Sequence, residues 1–153
     1  MAQIYFLSKE QFVGPLSIYW GTNDQFDSWA PIMEEKVMIG YFGYKFWNAF
    51  KAAPASYPDL QAKLQEMMPG FFYYYFVRDQ QSYDTSVGIY QADAENATKV
   101  QPQVVSKMIQ NYNLAVEYYN GTVEWIGENP SEAPNNGVLD NEDTPEPQNT
   151  FGI

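Results

Sequence analysis

The segment 102–126, PQVVSKMIQNYNLAVEYYNGTVEWI, decides the fold class. Within it Ile109, Tyr112, Val116, Tyr119, Val123 and Ile126 recur at intervals of 3, 4, 3, 4 and 3 residues. That spacing lays one narrow apolar stripe along an α-helix, suited to packing against nearly parallel partners. Pro102 fits the first helical turn, where its missing N–H would have had no intrahelical acceptor. Gly121 weakens the helix locally, by about 1 kcal/mol relative to alanine. The stripe lasts about two and a half heptads, too short for an extended coiled coil.

Upstream, residues 25–52 read as a second long helix. Phe26, Trp29, Met33, Val37, Gly40, Tyr44 and Trp47 make one apolar row, and Ile32, Ile39, Phe42, Phe46 and Phe50 make another beside it. A helix apolar over so much of its circumference is buried on more than one side. Pro31 allows two starts, one near Ser28 and one at Asn23 followed by a kink. A third helix begins near Pro58 and runs toward Asp79, with Pro69 expected to kink or divide it. Ser8-Lys9-Glu10-Gln11 has the form of a capping box opening a short helix, which Gly14-Pro15 soon interrupts. Between about residues 80 and 101 the helical pattern disappears. Residues 86–91, Ser-Val-Gly-Ile-Tyr-Gln, read as a short strand or an extended arm. The fold class is therefore all-α, a bundle of about four helices with a long extended inter-helix arm.

Two regions follow from composition. Residues 1–126 form the helical domain, and residues 127–153 form an acidic segment rich in Pro and Asn. The latter holds six acids, no Lys or Arg, and Pro130, Pro134, Pro145 and Pro147. It carries −6 of the chain's −11, which leaves the body only mildly acidic. Two readings stand: a solvated tail, or an arm docking on a neighbouring chain through Phe151 and Ile153. Extended, it would reach roughly 90 Å.

The composition excludes much chemistry. The 153 residues contain no Cys and no His. Disulfides, thiolate zinc sites, cysteine nucleophiles and histidine bases or ligands are therefore absent. The negative charge argues against binding nucleic acid by phosphate neutralisation, or holding to anionic lipid. No leader-like segment or membrane-spanning apolar run stands out, so a protein made in the cytoplasm is expected. Glu34-Glu35, Asp24 with Asp27, and Asp93 with Glu95 are the acid pairs. Adjacent helical residues point in different directions, and no EF-hand spacing or Gly-rich phosphate loop occurs. No catalytic residue, metal site or cofactor is expected.

The aromatics are the unusual feature, with 4 Trp, 13 Tyr and 10 Phe. Phe71, Phe72, Tyr73, Tyr74, Tyr75 and Phe76 surround their helix completely. One small domain does not easily hide such a run, so these residues are expected at contacts with other subunits as well as in the core.

The order of elements resembles the head–tail connector (neck ring, or adaptor) proteins of tailed bacteriophages, particularly those of Bacteroidetes hosts. The resemblance covers roughly residues 5–126. It lies in two aromatic-rich helices followed by Tyr74-Tyr75-Phe76-Val77-Arg78, then Thr85-Ser86-Val87-Gly88-Ile89, then residues 96–100. A last helix with Tyr112-Asn113 and Tyr118-Tyr119-Asn120 completes it. It implies a structural virion protein that assembles as a homo-oligomeric ring, commonly a dodecamer, beneath the portal protein. Such a ring extends the DNA channel and meets the adjacent neck or tail proteins, with DNA as passing cargo and no membrane. Arg78 and Thr85 to Ile89 would then fall in the turn into the inter-helix arm. Apart from the resemblance, the extended-chain propensity of Val87, Gly88, Ile89 and Tyr90 predicts that this arm docks on a neighbouring subunit or the portal protein. The acidic tail departs from the family pattern. Two other classes compete: an acidic decoy imitating DNA phosphates, and a carboxylate enzyme acting on a sugar with aromatic platforms.

Overall fold

The computed structural model describes residues 3–16, 18, 25–87 and 94–148. Side chains at position 15, position 25 and residues 79–104 are outside the description. Four α-helices occur among these residues, and no strand. They are α1 (Gln25–Tyr41), α2 (Tyr44–Ala52), α3 (Pro58–Val87) and α4 (Ala94–Glu128). Helices α3 and α4 form the principal pair; α1 packs against α3, and α2 packs against α1 and the turn at Pro134–Gly137.

The core is largely aromatic. Phe42, Phe46, Phe50, Phe71, Phe72 and Phe76 are completely enclosed, together with Met38, Leu60, Leu64, Met67, Met68 and Ile126. The rings meet edge-on or stacked, as between Trp47 and Phe50 at 5.9 Å and between Phe71 and Tyr112 at 5.4 Å. At Gly70 α3 and α4 come into close contact. A β-carbon there would lie 2.5 Å from the Asn111 carbonyl oxygen and 2.8 Å from the Ala115 β-carbon.

Several expectations are corrected. The single helix expected over residues 25–52 is two, broken at Phe42 and Gly43. Gly43 has φ +108°, a conformation closed to residues with a side chain, so it turns the chain between α1 and α2. Pro69 does not divide α3; the helix is continuous from Pro58 to Val87. Pro69 cannot donate to the Gln65 carbonyl four residues back, and the Gln11 side-chain amide approaches that oxygen at 3.4 Å instead. The capping box is present, with Ser8 N–H donating to Gln11 Oε1 at 2.8 Å, but it opens a single 3-10 turn, Lys9–Gln11.

The inter-helix arm is helical at both ends. Thr85 and Val87 lie in the last turns of α3, and residues 94–100 already belong to α4. Gly88, Ile89 and Tyr90 lie outside the described residues. Phe71, Phe72, Tyr73 and Phe76 are buried by their own chain, at 3% exposure or less. Their burial needs no neighbouring subunit, because α1 and α4 cover α3 on separate sides.

Residues 129–148 lie back over their own bundle, in place of the solvated tail or outreaching arm. Two 3-10 turns, Pro130–Glu132 and Pro134–Gly137, reverse the chain after α4, and Ala133 and Pro134 are buried. Residues 138–148 then form a strap. Phe151 and Ile153 lie outside the described residues.

Candidate functional site

The strap and the surface beneath it form the most organised polar site among the described residues. Its first anchor is the junction of α1 and α2. Gly43 offers α2 no capping side chain, and Asp140 of the strap supplies one from outside, its Oδ2 accepting from Lys45 N–H at 3.4 Å. A carboxylate at this position also meets the positive end of the helix dipole. The strap's Asp143 N–H donates to the Gly40 carbonyl at 3.0 Å, satisfying an acceptor that the end of α1 leaves open. The strap thus caps the end of one helix and the start of the next.

The second anchor lies on the α3–α4 pair. Gln148 N–H donates to Asn113 Oδ1 at 2.7 Å, and Asn113 Nδ2 donates to the Gln148 carbonyl at 2.9 Å. Gln148 Nε2 also donates to the Tyr74 hydroxyl at 3.2 Å. Between the anchors, Pro145 is buried while its neighbours are exposed.

Beside these anchors sits a cluster of phenols. The Tyr41 and Tyr75 hydroxyls are 2.6 Å apart, and the Tyr112 hydroxyl is 3.5 Å from that of Tyr41. Tyr119 donates to the Tyr41 carbonyl at 2.8 Å. Burial raises the pKa of Tyr41, Tyr75 and Tyr119 above the ordinary phenol range. All three are therefore neutral hydrogen-bonding groups at physiological pH. Arg78 lies 5.0 Å from the centre of the Tyr75 ring, and Lys36 lies 4.7 Å from it. The site can seat an extended chain through amide and phenol contacts.

A second polar feature is internal. Glu34 is 1% exposed, and its carboxylate accepts from the N–H groups of Tyr5, Phe6 and Leu7 at 2.8, 2.6 and 2.9 Å. Desolvation pushes its pKa up to about 7, against the pull of these three donors. It fastens the N-terminal segment to α1 and so helps to bury Phe6 and Leu7.

The acids read in the sequence do not converge. Glu34 faces inward, whereas Glu35 is exposed and lies 3.6 Å from Lys51. Asp27 is half-buried in the first turn of α1. Asp24 and Asp93 lie outside the described residues, as does the side chain of Glu95. Among the described residues no group of three acids could hold a metal ion. No described helix is long and apolar enough to cross a membrane. Of the expected interface set, Tyr74, Tyr75 and Arg78 meet at the strap site, whereas Phe71, Phe72, Tyr73 and Phe76 belong to the core.

Sequence reasoning did not single out Asp140, Gln148 or the capping role of the strap. It had a signal for Glu34, which stands in a row with Ala30 and Met38 and interrupts an apolar face. No family model matches the chain, and no curated protein or solved structure matches it.

Proposed function

We propose that the chain is a structural virion protein, a subunit of the ring at the head–tail neck of a tailed bacteriophage. In this reading it lies beneath the portal protein, joins head to tail with the adjacent neck or tail proteins, and continues the DNA channel. Twelve copies close the ring, and the subunit has no catalytic role.

The observation that carries the reading is the apolar surface that the chain leaves uncovered on its helices. Ile32 on α1 is 62% exposed, and Leu114 and Tyr118 on α4 are 48% and 39% exposed. Exposed apolar groups of this size serve contacts between subunits better than contact with water. The net charge of −11 suits a conduit, because a negative wall repels DNA phosphates within a Debye length of about 8–10 Å.

Light scattering or native mass spectrometry of the purified protein tests the reading. The expected species is a ring of roughly twelve 17.6 kDa chains. A monomer or dimer at every concentration would refute it.

A further inference from the structure

We propose that neighbouring copies join through two unlike flanks of the α3–α4 pair, an acidic apolar groove on one copy receiving a basic apolar ridge on the next. The proposal rests on the ring reading above and specifies the faces that make it.

The groove has a volume of about 330 Å³ and lies between α3 and α4 beside the Gly14–Leu16 turn. Leu16, Pro69, Leu114 and Tyr118 line it, and Gln65 and Glu66 supply polar wall. Leu114 is 48% exposed and Tyr118 39%, large fractions for apolar groups in a concave surface. Glu117 lies beside Leu114 in the adjoining shallow depression. An apolar floor with two carboxylates near it fits a partner that brings an aliphatic side chain and a cation together.

The chain itself carries such a surface. Ile32 on α1 is 62% exposed, and Lys36 stands one turn further along the same face. Lys36 and Arg78 both lie over the Tyr75 ring where α1 meets α3, and the exposed Glu35 beside Lys36 is offset by Lys51 at 3.6 Å. The strap crosses at Gly40, about 6 Å of helix beyond Lys36 and 12 Å beyond Ile32. It leaves Ile32 and Lys36 exposed.

The placement of the two surfaces suits a closed ring. On α4, Asn111, Leu114, Ala115 and Tyr118 line the groove, whereas Tyr112 and Asn113 face the tyrosines and the strap. The ridge shares Tyr75 with that second flank. The two surfaces therefore lie on different sides of the α3–α4 layer and differ in charge. An interface between unlike patches is heterologous, and repeated around an axis it generates a ring. Charge complementarity also disfavours groove-to-groove pairing, which would bring carboxylates together.

The absence of native cysteine makes the test direct. Full-length Ile32→Cys and Leu114→Cys chains, made separately, are mixed and oxidised. A disulfide between the two variants, with neither variant cross-linking to itself, is the expected result. In parallel, Lys36→Glu should weaken assembly about tenfold, and Glu66→Lys on the mixed-in partner should restore part of it. All these positions except Glu66 and Lys36 carry exposed apolar groups, and those two are exposed charges, so the fold is retained. Leu114→Cys linking to itself, or a ring of full mass without the mixed disulfide and indifferent to Lys36→Glu, would overturn this pairing while leaving the ring intact. A monomer in every sample would overturn the ring reading and this inference with it.

Discussion

Replacing Glu34 tests how the N-terminal segment is held. Glu34 accepts three backbone N–H groups, two of them fully buried. In Glu34→Leu those donors lose their acceptor, at about 1–3 kcal/mol for each buried group left unpaired. The expected loss is on the order of 3–6 kcal/mol, enough to detach residues 5–7 and expose Phe6 and Leu7. Glu34→Gln keeps one oxygen for Phe6 and Leu7 but turns an NH2 toward Tyr5, so about 1–3 kcal/mol is expected. The pH dependence gives a second readout. The folded carboxyl has a pKa of about 7, above the 4.5 of a free glutamate side chain, so the folded state holds the proton more tightly. The contribution is fully present below pH 4.5 and falls as pH rises toward and through 7, by about 3 kcal/mol in all. Urea denaturation from pH 4 to 8, with hydrogen exchange at residues 5–7, measures both effects. Glu34→Gln should flatten that portion of the pH slope. A Glu34→Leu protein of wild-type stability with protected amides at residues 5–7, or an unchanged slope in Glu34→Gln, would refute the reasoning.

Three further outcomes are expected. Gly43→Ala should destabilise by about 1–3 kcal/mol, because φ there is +108° and a β-carbon would overlap Asp140; hydrogen exchange should rise across residues 138–148. Asp140→Ala should remove the outside cap of α2 and cost about 1 kcal/mol in thermal or urea unfolding, with Asp140→Asn costing less. Phe72→Ala should cost about 3–5 kcal/mol in the isolated chain, since its ring is wholly enclosed by Phe12, Phe26 and Phe76. An interfacial Phe72 would instead leave the monomer's stability unchanged and impair only assembly.

The helices were legible because each announces itself locally. The 3–4 spacing from Ile109 to Ile126 identifies α4 without any knowledge of its partners, and the double apolar row of residues 25–52 announces burial on several sides. The absence of Cys and His likewise excludes whole classes of chemistry from composition alone. The break at Gly43 was illegible because apolar periodicity continues across it; only the φ of one glycine distinguishes one helix from two.

The long-range relations belong to the tertiary structure. Pro69 reads as a helix breaker until Gln11, distant in sequence, is seen beside the Gln65 carbonyl. Phe71 to Phe76 looks too aromatic for one domain until α1, α4 and the N-terminal segment are placed around it. The acidic Pro-rich segment has the composition of a solvated tail, yet its ordering depends on few residues and remote partners. Asp140 finds the uncapped start of α2, Asp143 the open end of α1, and Gln148 the side chain of Asn113. The helical class, the acidic character and the residue chemistry are readable from the chain alone, because periodicity and composition are local properties. What covers the aromatics and where residues 129–148 lie are set by the folded chain, because a hydrogen bond between residues 35 or 95 positions apart leaves no periodic trace in the sequence.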